Sequence, residues 1–246
     1  MKRAVNMLVT GVVLVLGLAV LPVTAVASTA DHAFTDVPYG HQFADAIQIL
    51  VDRDVVDGYS DGTFRPENPV LRAQLAKMIL LMIASDEWTR LDELVRGDMA
   101  LPPFTDFGMP DSPESLYPHD FVSAAWQHGI IRGTTSHTFS PWAPATRAQA
   151  ITMTVRATEA QHPWLIQWDS QLYEPWGDFD PAHGTPSAIA YQSGFLDGIV
   201  YTGAPGIPVG TYVSPWAPMT RGEAAQLLSN VIQLRDGYWE SESAGG

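Results

Sequence analysis

Cysteine is absent from the 246 residues of this chain, and positively charged residues are few. Without cysteine the protein forms no disulfide and no Cys-ligated metal site, so packing alone must hold the fold. Lysine and arginine number 13 against 27 aspartate and glutamate residues, which gives a formal net charge of −14. Such a surface repels nucleic acid and anionic lipid. We therefore expect no nucleic-acid partner, and any anionic ligand requires a local positive site.

Signatures of common catalytic and cofactor sites are also absent. The sequence has no HExxH pattern, no GxSxG elbow and no glycine-rich phosphate loop. The string DGYSDG at 57–62 lacks the twelve-residue spacing and the final glutamate of a calcium loop, so a turn is the better interpretation. We expect a non-catalytic protein with no metal and no cofactor. An enzyme that uses paired carboxylates is the catalytic alternative.

A single apolar run of membrane-spanning length occurs, and it lies at the N terminus. Lys2 and Arg3 precede an uncharged stretch from Ala4 to Ala30, and Ala25-Val26-Ala27 fits a cleavage site. Residues 1–27 are interpreted as a secretory signal peptide, with an uncleaved membrane anchor as the alternative. Either interpretation places the rest of the chain outside the cytoplasm.

The sequence contains three copies of one repeated unit. The string SPWAPATRAQA at 140–150 returns as SPWAPMTRGEA at 214–224. The shared landmarks are an opening aspartate, a glycine and two prolines ahead of an arginine. The aspartates are Asp36, Asp106 and Asp178, the glycines Gly58, Gly133 and Gly198, and the arginines Arg72, Arg147 and Arg221. Self-similarity at this period predicts a repeat architecture.

Each copy reads as helix, turn, helix. In the first copy Phe43, Ile47, Leu50 and Val51 share one helical face, and a second apolar stripe begins near Val70. Thr146 and Thr220 are candidate N-caps, and Glu223 stands at the spacing of a capping box. The predicted repeats span residues 34–84, 104–157 and 176–234, and a disordered tail is expected at 235–246.

These units resemble S-layer homology domains. The family motif of Thr-Arg-Ala-Glu type appears as LRAQ at 71–74, TRAQ at 146–149 and TRGE at 220–223. The resemblance implies an all-α fold in which three helix-turn-helix repeats form a pseudo-threefold bundle. It also implies binding of secondary cell-wall polymers, often pyruvylated, or of peptidoglycan-linked glycan at the bacterial envelope. The partner would be that glycan, with another envelope protein as the alternative.

The residue chemistry suits such a ligand. An arginine meets a carboxylate with a planar fork, and the first turn of a helix adds N–H donors and a positive dipole end. A tryptophan covers the apolar face of a sugar. The glycan contacts expected from the repeats and the resemblance are Arg72, Arg147, Arg221, Trp142, Trp216, Thr146, Thr220, Gln149 and Glu223. The departures from the motif at Leu71 and Gln74 predict that the three grooves differ and that the first is the weakest.

Structural roles compete with this interpretation. Each arginine could instead form an ion pair with Asp36, Asp106 or Asp178, and the tryptophans could pack in the core. The aspartates fit turns or caps, and Gly58, Gly133 and Gly198 fit helix C-caps. As an alternative function, the repeats could form an adaptor that docks another envelope protein, with the glycan site of the first copy decayed, as the departures at Leu71 and Gln74 suggest.

Overall fold

A computed structural model describes residues 34–85, 91–96, 101–107, 117–171, 180–199 and 214–245. Within these ranges the chain is helical and has no β-strand. The helices are α1 (Ala44–Asp52), α2 (Arg72–Ala84), α3 (Leu91–Arg96), α4 (His119–Gln127), α5 (Arg147–Gln161), α6 (Gly184–Gln192) and α7 (Arg221–Gly245), with a 3-10 turn at Pro163–Leu165. None of these helices is long and apolar enough to cross a bilayer. Residues 1–27, Asp178 and residues 201–210 of the third copy lie outside the described residues.

The repeats appear as three helix pairs, α1–α2, α4–α5 and α6–α7, which confirms the all-α expectation. In α1 the face that carries Ile47 and Leu50 is buried, as its periodicity predicts. The same apolar core receives the second helices, in which Leu75, Ile151 and Leu228 are fully buried. Each pair therefore contributes to one shared core rather than to a core of its own.

The second helices begin with capping boxes. The Thr146 hydroxyl accepts the N–H of Gln149, and the Thr220 hydroxyl accepts the N–H of Glu223 (3.3 and 3.1 Å). Both predicted N-caps are confirmed. Leu71 has no hydroxyl, so α2 keeps only the return bond, from the Leu71 N–H to the Gln74 side-chain oxygen (3.1 Å).

Three backbone hydrogen bonds close a ring around the pseudo-threefold axis. The N–H of Val70 donates to the Met219 carbonyl, that of Met219 to Ala145, and that of Ala145 back to Val70, each at 2.9 Å. All three residues are fully buried, and each stands two residues before the arginine of its repeat. Because each repeat donates once and accepts once, the ring fixes which repeat is the neighbour of which.

The Pro-x-x-Pro segment of each repeat lies on the helix start of another. The pairs are Arg72 N–H to Ala143 carbonyl (3.0 Å), Arg147 to Ala217 (3.0 Å) and Arg221 to Asn68 (2.8 Å). The next N–H along each helix also bonds to this segment, at Pro141, Pro215 or Pro66. The sequence interpretation reserved these donors for a ligand. The structure corrects it, since the first-turn N–H groups are already paired between repeats.

The opening aspartates hold the loop that leads into each proline segment. The carboxylate of Asp36 accepts the N–H groups of Phe64 and Arg65, both at 2.7 Å. Asp106 does the same for Phe139 and Ser140 (2.8 and 2.7 Å). Arg65 and Ser140 have φ of 61° and 58°, a left-handed conformation that costs energy without glycine. The charge-assisted bonds offset that cost, so these two aspartates are structural and not arginine partners.

The repeated glycines are not helix C-caps. Helix α1 ends at Asp52 and α4 at Gln127, well before Gly58 and Gly133. A Cβ on Gly133 would stand 2.6 Å from the Phe104 ring, and one on Gly58 would meet Phe34 still more closely. These glycines therefore allow the opening phenylalanine of each repeat to lie directly against the backbone.

The C-terminal tail also differs from the expectation. Residues 235–245 continue helix α7 instead of being disordered. Arg235 is buried, and its guanidinium donates to the Met82 carbonyl and the Ser85 hydroxyl at the end of α2 (3.2 and 3.3 Å). Asp236 pairs with Arg53 after α1. The tail is ordered here because two charged residues attach it to the first repeat.

Candidate functional site

The three repeated arginines are buried and cross from one repeat to another. Arg72 is 4% exposed and donates from Nε to the Phe139 carbonyl in the second repeat (2.7 Å). Arg221 is 6% exposed and donates to the Phe64 carbonyl in the first repeat (2.9 Å). Each guanidinium also lies over the ring of the same phenylalanine, 4.5 Å from its centre. The arginine of one repeat thus binds to the backbone and the phenylalanine ring of another repeat.

Two cavities occupy equivalent positions beside these arginines. Groove 1, of about 220 Å³, is lined by Val55, Val56, Asp57, Gly58, Tyr59, Gln74, Lys77, Met78, Tyr117 and Arg221. Groove 2, of about 190 Å³, is lined by Arg72, Arg132, Gly133, Thr134, Gln149, Thr152, Met153, Arg156, Ala182 and His183. Each groove receives side chains from all three repeats. The third equivalent position, which we call groove 3, holds Arg147 and Glu223 among the described residues.

The groove arginines of grooves 1 and 2 have no ion pair within the described ranges. Burial lowers the pKa of Arg72 to about 10, which leaves it charged at neutral pH. Burial likewise lowers the pKa of Arg221. Asp106 acts on Arg72 and Asp36 on Arg221 through space, but both carboxylates bond to loop N–H groups, so neither desolvated cation has a carboxylate in direct contact. An anion entering either cavity would supply that contact.

In groove 3 a glutamate already supplies the negative charge. Arg147 donates from Nη2 to Oε1 of Glu223 at 2.7 Å, and Nε lies 3.2 Å from both carboxylate oxygens. Gln74 and Gln149 occupy the place of Glu223 in grooves 1 and 2, where they contribute a neutral amide. Arg147 and Glu223, both expected to contact glycan, are therefore bound to each other.

The tryptophans stand at the edges of the two open grooves. Trp142 is 56% exposed and packs against Tyr117 of groove 1, with ring centres 6.1 Å apart. Trp216 is 53% exposed and packs against His183 of groove 2 at 5.7 Å. Neither is a core residue. At the matching position of the first repeat stands Glu67, 3.8 Å from His41, which adds a second carboxylate to the groove 3 side.

Several lining residues were missed by the sequence interpretation. Lys77, Arg132, Arg156, Tyr117 and His183 are not part of the repeated motif, and they reach the grooves only through the arrangement of the repeats. The sequence could have indicated one of them, since Arg132 directly precedes the repeated Gly133. Thr146 and Thr220 serve as N-caps, so their hydroxyls are engaged in the helix starts. No group of three or more His, Asp or Glu that could hold a metal occurs among the described residues.

A ring of three helix pairs with arginine-bearing grooves between them defines a helical repeat protein of binding type. A family model described as the S-layer homology domain matches residues 33–76 and 109–151. The first two repeats therefore match the S-layer homology domain family.

Relatives with named functions agree with this assignment. An S-layer protein of Bacillus licheniformis is 27% identical over 213 residues, which cover 84% of this chain and 20% of the relative. S-layer protein EA1 of Bacillus anthracis is 25% identical over 82% of this chain and 20% of its own length. A cellulosome-anchoring protein of Acetivibrio thermocellus is 25% identical over 51% of this chain and 26% of its own. The chain thus spans about a fifth of the two S-layer proteins.

Proposed function

We propose that this chain is a non-catalytic cell-wall-binding protein that holds to the bacterial envelope by capturing an anionic wall glycan in grooves 1 and 2. The observation that carries the proposal is a buried guanidinium at each groove that forms no ion pair among the described residues, Arg221 in one and Arg72 in the other. The family assignment and the names of the S-layer and anchoring relatives support the same role.

The ligand group that fits is a carboxylate carried on a sugar, such as a pyruvyl ketal. The arginine would take the carboxylate, and the side-chain amide of Gln74 or Gln149 would donate to it or to a neighbouring hydroxyl. Trp142 and Trp216 would cover the sugar at the groove edge. Two grooves on one molecule lengthen its residence time on a polymer, because binding at the first groove raises the effective concentration of ligand at the second.

Groove 3 is excluded from this role. Glu223 neutralises Arg147, and Glu67 replaces the edge tryptophan. The sequence departures in the first copy suggested that groove 1 would be the weakest. Because each groove takes its parts from three repeats, we assign the weakness to groove 3 instead.

The test places a carboxylate where groove 3 has one. The double substitution Gln74→Glu and Gln149→Glu keeps a side-chain oxygen for the N–H groups of Leu71 and Thr146, and it places a carboxylate beside both groove arginines. We expect co-sedimentation with native wall sacculi to fall at least tenfold. The charge-matched control is Gln171→Glu with Gln233→Glu, two exposed positions that line neither groove.

Sacculi stripped of their secondary polymer separate the alternatives. Binding that is lost on stripping, and lost in the groove double variant but kept in the control, supports polymer capture. Equal binding by the groove variant and the wild type would exclude the two grooves as the site. Absence of wild-type binding to any sacculi would favour the adaptor role.

A further inference from the structure

Grooves 1 and 2 are equivalent in position but differ in charge. Groove 1 carries Arg221 and Lys77 together with the carboxylate of Asp57. The matching positions of groove 2 are Arg72, Thr152 and Arg132. Groove 2 also has Arg156, in the place that Leu81 holds in the first repeat. Three arginines and no carboxylate therefore appear among the described lining residues of groove 2.

This concentration of positive charge runs against the composition of the chain. The whole sequence has only 13 basic residues and a net charge of −14, yet three arginines line one cavity of about 190 Å³. The part of the chain that the structure describes gives Arg132 and Arg156 no ion pair. Burial lowers the pKa of Arg156, and the nearby charge of Arg132 lowers it further. Like charges held together in this way oppose folding unless a ligand balances them.

Of the neighbouring carboxylates, the exposed Glu159 acts on Arg156 through space without an ion pair, and two others are engaged elsewhere. Asp180 accepts the N–H groups of Ala182 and His183 (2.7 and 3.1 Å). Asp106 accepts the two loop N–H groups already described. The remaining wall is neutral and polar, since Thr152 lies 2.6 Å from Nδ1 of His183. Burial lowers the pKa of His183, so the ring adds no charge at neutral pH.

We propose that groove 2 binds a doubly charged substituent of the phosphate monoester type on the wall glycan, and that Arg132 and Arg156 distinguish two negative charges from one. Groove 1, with one net positive charge, takes a single carboxylate. This inference rests on the proposed function, because both grooves are assigned to glycan. A phosphate monoester fits because it carries close to two negative charges and three acceptor oxygens at neutral pH. Arginine forks engage such oxygens in pairs.

The test compares probes that share one sugar. Methyl glucoside 6-phosphate carries two charges, and its methyl phosphodiester carries one. The 4,6-pyruvyl ketal of methyl glucoside serves as the single-carboxylate probe. Binding to the full chain is measured by calorimetry at pH 8, where the monoester is fully ionised. We expect the monoester to bind at least tenfold more tightly than the diester.

The variant Arg132→Gln with Arg156→Gln removes the proposed discrimination. Arg132 is exposed and Arg156 half-buried, so both substitutions leave the core intact. We expect the affinity of the variant to fall at least tenfold for the monoester and less than threefold for the ketal. The control is Arg53→Gln, which removes a positive charge at an exposed position that lines neither groove, and its melting temperature reports the loss of the ion pair to Asp236. It should keep the wild-type preference.

The outcomes separate this inference from the proposed function. If the wild type binds the ketal but binds monoester and diester equally, the inference is wrong and glycan capture stands. If the monoester preference survives in the groove 2 variant, Arg132 and Arg156 are not its source and the inference is again wrong. If no probe binds at all, the proposed function fails, and this inference fails with it.

Discussion

Arg147 and Glu223 form a buried ion pair between the second and third repeats, with Nη2 and Oε1 2.7 Å apart and the side chains 3% and 8% exposed. The corresponding arginines of the other two grooves face glutamines instead. One acid-to-amide difference thus separates the surroundings of Arg147 from those of the other two repeated arginines.

Removing the acid should destabilise the fold. Glu223→Gln keeps a capping oxygen but leaves Arg147 buried without its carboxylate, so we expect a loss of about 3 kcal/mol in the free energy of unfolding. Urea denaturation measures it. Gln149→Glu, the reverse change in groove 2, should leave stability unchanged or raise it. A neutral result for Glu223→Gln would contradict a structural role for the pair.

The edge tryptophans should matter for binding more than for folding. Because Trp142 and Trp216 are about half exposed, replacing either with alanine should cost less than about 1 kcal/mol of stability. Binding to polymer should weaken about tenfold, which corresponds to about 1.4 kcal/mol. Trp168→Ala is the matched control, since that residue is 44% exposed and lines neither groove. Equal effects at all three positions would argue against sugar stacking.

Asp36 should contribute strongly to stability through its two backbone bonds. Asp36→Ala frees the N–H groups of Phe64 and Arg65 and leaves Arg65 in a left-handed conformation without support. We expect a loss of about 2–4 kcal/mol in chemical denaturation. Asp57→Ala removes an exposed carboxylate nearby and should change stability by less than about 0.5 kcal/mol.

Two glycines offer opposite outcomes for the same substitution. A Cβ on Gly133 would press on the Phe104 ring and on the Thr138 carbonyl (2.6 and 2.7 Å), so Gly133→Ala should cost about 2 kcal/mol or more. Gly237 is an exposed position of helix α7, and a Cβ there would meet nothing within 4 Å, so Gly237→Ala should stabilise the protein by about 0.5–1 kcal/mol. Thermal melts of the two variants should shift in opposite directions. A shift in the same direction would contradict the close approach at Gly133.

Acid should weaken the fold partly through His183. Its pKa is lowered below 6.5 chiefly by burial, while Asp180 opposes the shift and the charges of Arg156 and Arg72 add to it. The unfolded chain therefore binds a proton first as the pH falls through 6.5, and stability present above that pH is lost below it. His183→Asn should show a smaller fall in melting temperature between pH 7.5 and 5.5 than the wild type. An identical fall would mean that the other histidines account for the acid sensitivity.

Local patterns in the sequence predicted the local features of the fold well. Helical periodicity gave the face of Ile47 and Leu50, and capping chemistry gave Thr146 and Thr220. Position within the repeat also indicated that Asp36 and Asp106 are structural. These features depend on residues close in sequence or on the repeat itself, so a single copy contains the information.

Features that join one repeat to another escaped prediction. Nothing in the string TRAQ states that the arginine crosses into the next repeat, or that Pro141 occupies a helix start of the first. Arg147 and Glu223 are 76 residues apart, and only the order of repeats around the axis brings them together. The helical tail escaped for the same reason, since Arg235 reaches Met82 across 153 residues.

The hydrogen-bonded ring of Val70, Met219 and Ala145 determines how many repeats the bundle can have. Its three hydrogen bonds form a closed circle. A chain that began with any one of the three repeats could therefore make the same set of bonds. Adding a fourth repeat would break a bond, and deleting one would leave a buried donor and a buried acceptor unmatched. The number three is therefore set in the backbone, which leaves the side chains of each groove free to diverge.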